Sequence, residues 1–65
     1  MDKAGFIEAI TRIEVSLISQ GYSLDDIENL EIASLTRVRH SDDTRPEAFL
    51  EALAEEIESE IYHLN

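Results

Sequence analysis

The carboxylates near the end of the chain are its most distinctive chemical feature. Glu47, Glu51, Glu55 and Glu58 recur at spacings of four, four and three residues. Because an α-helix has about 3.6 residues per turn, this spacing places all four on one helix face, with Tyr62 on the same side. We call these four glutamates the glutamate stripe. Such a row of carboxylates can bind a basic protein surface, or imitate the charges of a nucleic-acid backbone.

The same stripe has a simpler interpretation as the solvent-facing side of an amphipathic helix. Glu47/Glu51 and Glu51/Glu55 are like-charged pairs four residues apart. Each such pair destabilises a helix by about 0.2–0.5 kcal/mol, so stability alone would favour lysine at alternate positions. Because this repulsion is kept in the sequence, it favours a binding role for the glutamate stripe. The alternative is that the stripe is only a solvent-facing helix surface.

A second group of residues is cationic. Arg37, Arg39, His40 and Arg45 include three of the five Lys and Arg residues of the chain. We interpret them as a secondary basic patch that could bind a phosphate, or an acidic face of a partner or second copy. The alternative is intramolecular, with the arginines neutralising nearby acids and complementing a helix C-terminus.

Metal binding and catalysis find little support in the sequence. His40 and His63 are far apart and lack the i,i+4 spacing of a helical zinc motif. The chain has no cysteine and two glycines, so it offers no thiol nucleophile and no phosphate-cradling glycine loop. General acid–base catalysis also needs a cleft, for which a small helical domain has little room. We expect no enzymatic activity, no metal and no cofactor.

Composition limits the classes of partner. The formal net charge is −10, with 15 acidic residues against 5 Lys and Arg. A chain so acidic repels phosphates, which argues against direct binding of nucleic acid and favours a basic protein partner. No apolar run approaches the roughly 18 residues that a membrane span needs. The N-terminus also lacks the features of a signal peptide, so we expect a cytoplasmic protein.

The first predicted helix begins after Asp2, a good N-cap residue, and ends at Gly21. Its apolar positions share one face: Phe6, Ile7, Ile10, Ile13, Leu17 and Ile18. Val15 falls outside that face. Glu14 falls inside it, where a carboxylate must be paired, hydrogen-bonded or at the wet edge. Glu14 could fix register or oligomeric state, or simply be partly exposed through helix drift.

The stretch 24–39 is ambiguous. Ser23 and Asp26 have the spacing of a capping box, so a helix should start near Leu24. One continuous helix would place Glu31 in the middle of its apolar stripe and Ile32 outside it. We therefore predict a short helical turn over 24–28 and a second piece over 30–39, broken near Asn29. That break would let Ile32 and Leu35 face inward together.

The last predicted helix runs from about Arg45 to Leu64. Thr44 and Glu47 have capping-box spacing, and Pro46 suits the first turn because its missing N–H is harmless there. The apolar face of this helix comprises Leu50, Leu53, Ile57, Ile61 and Leu64. No strand or hairpin pattern is present.

These elements predict a single all-α domain over 1–65. The expected architecture is a small bundle of two long antiparallel amphipathic helices joined by one or two short helices. The segment 21–35, which begins GYSLDDI, resembles the helical segments of small phage tail-assembly chaperones. Its pattern is common to helix–turn–helix segments and does not identify a family.

The leading functional hypothesis is a small acidic interaction module, such as an inhibitor, adaptor or assembly chaperone, that binds a basic protein surface. A sharper version is a nucleic-acid mimic. The alternative is a structural or oligomerisation module whose acidic face is only solvated, and a phage-type assembly chaperone or a small enzyme ranks last. The core of a chain near 60 residues is marginal, since folding buries only about 60% of its extended surface. We therefore also predict a homodimer. Val15, Ile32, Phe49 and Tyr62 exceed what one small core can hold.

Overall fold

Three α-helices of nearly equal length form the protein. The structure is a computed structural model that describes residues 1–63, with the side chains of residues 1–61. Its helices are α1 (Lys3–Ser19), α2 (Leu24–Ser41) and α3 (Pro46–His63). No strand occurs within residues 1–63, and the predicted all-α class is confirmed. Leu64, the predicted end of the last helix, lies outside the described residues.

Helix α1 has the predicted ends. The Asp2 side chain accepts a hydrogen bond from the Gly5 amide at 2.7 Å, which satisfies one of the free N–H groups of the first turn. Gly21 follows the helix with φ +98°, a left-handed conformation that glycine adopts without a Cβ clash. The Tyr22 amide then donates to the Leu17 carbonyl at 3.1 Å, the long hydrogen bond of a Schellman motif.

Helix α2 is continuous, so the predicted break near Asn29 is wrong. The helix runs for 18 residues and is not a short connection between longer helices. Ser23 caps it as predicted: its Oγ accepts from the Asp26 amide at 3.1 Å, and the Asp26 carboxylate accepts from the Ser23 amide at 3.3 Å. An unbroken helix buries Ile27 and Leu30 on one side.

The continuous helix also changes which α2 residues face inward. Ile32 and Leu35 were predicted to be buried, but both are exposed. Ser34 lies on the buried side instead, and its hydroxyl donates to the Leu30 carbonyl at 2.7 Å. Glu31 is half-buried at the edge of the core. The helix therefore accommodates the out-of-place carboxylate at its wet edge rather than by breaking.

Helix α3 begins at Pro46, one residue later than predicted. The turn before it is held by Asp43, whose carboxylate accepts from the backbone amide of Arg45 at 3.0 Å. Among the hydrogen bonds of the described residues, none joins Thr44 to the amide of Glu47. The predicted Thr44–Glu47 capping box is therefore wrong.

The core is small and draws on all three helices. Its buried apolar residues are Leu17 from α1, Ile27 and Leu30 from α2, and Leu53 from α3. Phe6 and Phe49 pack at one end, with ring centroids 6.0 Å apart and planes tilted by 59°. That tilted arrangement is one that aromatic pairs prefer.

Helix α1 is the least embedded of the three, because α2 and α3 share the most extensive contact. Its side chains Ile7 and Ile18 were predicted to be in the core but are 53% and 51% exposed. The reason is geometric: both lie at the border of the apolar stripe, whereas the buried Leu17 lies at its centre.

The antiparallel pairing of the first and last helices is not confirmed. Phe6 and Phe49 meet near the beginnings of α1 and α3. Further along both helices, Ile13, Leu17 and Ile57 line a common cleft. The start of α1 therefore lies near the start of α3, and later residues of α1 lie near later residues of α3, as in a parallel pair of helices.

Candidate functional site

The middle of the glutamate stripe is engaged in ion pairs within the molecule. Glu55 lies 2.5 Å from Nη1 of Arg37, and Glu56, just outside the stripe, lies 2.6 Å from Nε of the same side chain. Glu51 lies 3.3 Å from Nη2 of Arg45. The stripe therefore faces cations supplied by α2 and by the α2–α3 turn.

The ends of the stripe differ from its middle. Glu47 lies 3.2 Å from the amine of Met1. A hydrogen bond from its own backbone amide, and then one from that amine, lower the pKa of Glu47. Glu58 is exposed and has no ion pair within the described chain. The side chain of Tyr62, predicted to share this face, lies outside the described residues.

Within the secondary basic patch, Arg37 and Arg45 form ion pairs with carboxylates of the chain, whereas Arg39 and His40 lie at the end of α2. The Arg45 guanidinium donates two hydrogen bonds to the Asp43 carboxylate, from Nε at 3.0 Å and from Nη2 at 2.8 Å. These hydrogen bonds lower the pKa of Asp43 to about 2. Arg37 reaches across to α3. Arg39 and His40 are exposed in the last turn of α2, where positive charge complements the partial negative charge of the helix end.

The predicted acidic stripe and basic patch thus form two sides of one ion-pair seam along α2 and α3. The seam neutralises much of the charge that made the stripe distinctive. Its pairs are largely exposed, and exposed pairs are worth only about 0–1 kcal/mol each. A strongly basic partner could displace them, but it would compete with Arg37 and Arg45 to do so.

A different surface carries exposed aliphatic side chains. Ile7 and Ile18 project from α1, while Leu24 and Leu35 project from α2, and each is more than two-fifths exposed. All four lie on the flanks of α1 and α2 that border each other, as their helical angles relative to the buried residues indicate. We call this surface, with the glutamates between the aliphatics, the α1–α2 face.

Three carboxylates occupy the middle of the α1–α2 face. Glu14 and Glu31 are half-buried, and Glu28 is exposed. Burial, followed by the negative charges of Glu14 and Glu28, raises the pKa of Glu31. Within the described chain none of them forms an ion pair. In the sequence, Glu14 and Glu31 stand out separately as carboxylates within apolar stripes, and their spacing alone does not join them into one surface.

Three other apolar residues singled out from the sequence lie on three different helices: Val15 on α1, Ile32 on α2 and Phe49 on α3. Val15 and Ile32 are both more than half exposed. Phe49 is half-buried against the core and Phe6. Single exposed aliphatics like Val15 are common on soluble proteins and need no partner.

A cleft between two of the helices is lined largely by polar side chains. It has a volume of about 430 Å³ and lies between α2 and α3, with Asp26, Glu56 and Glu60 among its lining residues. Asp26 is engaged in the α2 cap and Glu56 in the Arg37 pair. Among the described residues, no three His, Asp or Glu side chains are placed to hold a metal ion.

Comparison of the chain with protein-family models, with curated proteins and with solved structures found no match. Within the described residues, no helix combines the length and the apolar character that crossing a membrane requires. The charged and apolar surfaces described above are therefore the basis for a functional proposal.

Proposed function

We propose that this protein is a non-enzymatic, cytoplasmic interaction module that binds a basic surface of another protein, as an inhibitor, adaptor or assembly chaperone does. One observation carries the proposal. Three of the five Lys and Arg residues, namely Arg12, Arg37 and Arg45, are already paired with carboxylates of the chain. Most of the 15 acidic residues have no cationic partner in the described chain. Their charge is available to a basic partner.

Two acidic surfaces could make the contact. The glutamate stripe fits the nucleic-acid-mimic version, but Glu51 and Glu55 would first have to exchange Arg45 and Arg37 for cations of the partner. The α1–α2 face needs no such exchange, because Glu14, Glu28 and Glu31 are uncompensated. The lower cost of binding there favours the α1–α2 face as the primary contact.

The direction of the helices supports this view of the face. We infer that consecutive helices alternate in direction. Arg37 and Glu55 meet on either side of the α2–α3 turn, and Glu14 influences Glu31 across the α1–α2 turn. Such pairing, symmetric about a short connection, is typical of antiparallel neighbours. Ile18 and Leu24 then flank the α1–α2 turn, one at the end of α1 and the other at the start of α2.

The second candidate function is a structural or oligomerisation module, in the form of a homodimer. The exposed aliphatics of α1 and α2 favour it, since a small core gains stability by burying them against a second copy. A symmetric contact through the α1–α2 face would, however, bring Glu14, Glu28 and Glu31 of both copies together. Like charges held close oppose such a dimer.

Two variants with equal loss of charge test the proposed function. The first replaces Glu14, Glu28 and Glu31 with glutamine, and the second replaces three stripe residues: Glu51, Glu55 and Glu58. Wild type and both variants would be used to capture proteins from the source cell, and the partner retained by wild type would be titrated against each. Salt of about 0.01 M and about 0.15 M changes the screening length from about 30 Å to about 8 Å.

The proposal predicts a partner with a basic surface whose affinity falls with salt. The α1–α2 variant should bind at least about threefold more weakly than wild type, since it loses three charge pairs worth about 0.2–1 kcal/mol each. A larger loss in the stripe variant would instead assign the contact to α3. Affinity that is unchanged by salt and by both variants would refute the proposal and favour the structural module.

A further inference from the structure

The two sides of the α1–α2 face repeat one arrangement of side chains. In α2, Glu28, Glu31 and Leu35 follow Leu24 by four, seven and eleven residues. In α1, Ile7 and Ile18 are also eleven residues apart. Eleven residues make about three helical turns, so the members of each row project in nearly the same direction.

The α1 row completes the match. Thr11 and Glu14 follow Ile7 by four and seven residues, and Thr11 is exposed. Each row thus has an aliphatic residue at both ends and polar groups between them. The aliphatic ends are about 16–17 Å apart at 1.5 Å of rise per residue. The face is therefore an exposed apolar surface with an anionic centre.

The chemistry of this face determines what can cover it. A purely apolar partner would desolvate Glu14 and Glu31 without replacing their water, which is costly. A second copy would add three more negative charges. A helix with lysine or arginine between two apolar residues complements both the anionic centre and the aliphatic ends of the face. Its cations bind the carboxylates, while its apolar residues cover the aliphatic side chains.

We infer that the α1–α2 face is a docking site for a basic amphipathic helix of another protein. The partner helix would carry apolar residues about three turns apart, with lysine or arginine one and two turns after the first. This inference rests on the proposed function, since it names the surface and the class of partner segment.

The test uses a synthetic peptide of about 18 residues, which as a helix spans about 27 Å. It carries leucines eleven residues apart and lysines four and seven residues after the first, the spacing of the α2 row. A second peptide has the same composition in scrambled order, so that no single face is both basic and apolar. Amide chemical shifts of ¹⁵N-labelled protein would be followed as each peptide is added.

The inference predicts saturable shifts centred on the α1–α2 face, with binding of the ordered peptide at least about tenfold tighter than that of the scrambled one. Ile18→Ser and Leu35→Ser should each weaken binding by about tenfold or more, as expected when a large aliphatic contact is lost. Val15→Ser is the matched control, because Val15 is 60% exposed on α1 but lies about 60° around the helix from Ile18, outside the row that contains Ile7 and Ile18. This variant should bind as wild type does. All three replaced residues are exposed, and a thermal melt checks that each variant folds.

Four results would overturn the inference. Shifts centred on α3, or equal binding of both peptides, would refute docking on this face while leaving a general affinity for basic partners intact. An absence of binding to either peptide would likewise refute docking of a basic helix on this face, and the capture and titration of the cellular partner would then decide the proposed function by itself. Shifts on the α1–α2 face that grow with protein concentration alone would assign the face to a second copy.

Discussion

Replacement of Leu53 by alanine should remove a large part of the stability of the protein. Leu53 is 1% exposed and belongs to the cluster that joins all three helices. Buried Leu→Ala changes cost about 2–5 kcal/mol, because the lost transfer energy is augmented by a cavity. A site this well enclosed belongs in the upper half of that range. A chain of 65 residues has a total stability of only about 3–10 kcal/mol.

Urea denaturation followed by circular dichroism measures this loss, with Leu24→Ala as the matched control. Leu24→Ala removes the same atoms at a site that is 74% exposed, so it should lower the free energy of unfolding by no more than about 0.5 kcal/mol. In thermal melts the Leu53 variant should unfold at least about 10 °C lower, since 1 kcal/mol shifts the midpoint of so small a domain by about 4–8 °C. Similar small losses in both variants would show that α3 does not pack through Leu53.

Three further predictions test particular elements of the fold. Ser23→Ala should cost about 1 kcal/mol in urea melts through loss of the α2 cap, while Thr44→Ala should cost almost nothing. Asp42→Gly should raise the free energy of unfolding by about 1 kcal/mol, because Asp42 has φ 59° and lies at a helix C-terminus, where negative charge is unfavourable; a lower urea midpoint would contradict this. Burial and neighbouring carboxylates raise the pKa of Glu31 above 4.5, so the folded chain binds that proton more tightly than the unfolded chain. Its contribution to stability should therefore fall as pH rises from 4.5 through the raised value, and Glu31→Gln should remove this part of the pH dependence of the urea midpoint.

The sequence was most informative where local chemistry decides the structure. Asp2, Ser23 and Gly21 each mark a helix end through a hydrogen bond or a backbone conformation that neighbouring residues complete. Period and composition were also sufficient for the all-α class. The turn before α3 was harder, because Asp43 and Thr44 both have side chains that can accept from a nearby amide.

Positions at the borders of apolar stripes could not be assigned from periodicity. Ile7 and Ile18 have the right helical angle for burial, but α1 is only partly covered by its neighbours. The break predicted at Asn29 came from the assumption that Glu31 could not lie on a packed helix face. In fact its edge position leaves the carboxylate half-exposed.

The candidate site shows the same limit. Spacing alone placed the stripe glutamates on one side of α3, but their pairing with Arg37 and Arg45 depends on how α2 packs against α3. Likewise, Glu14 and Glu31 stand out separately in the sequence as carboxylates among apolar residues. Only the packing of α1 beside α2 brings them together as one acidic centre.

A double-mutant cycle between Glu31 and a lysine of the ordered peptide tests the central claim most directly. Affinities would be measured for wild type and Glu31→Gln, each with the peptide and with its lysine replaced by methionine. Direct contact predicts a coupling energy of at least about 0.5 kcal/mol, and the same cycle with Glu58→Gln should show none. If the effects of Glu31→Gln and of the peptide lysine replacement add to within about 0.3 kcal/mol, the result would contradict binding of a basic helix at the acidic centre of the α1–α2 face.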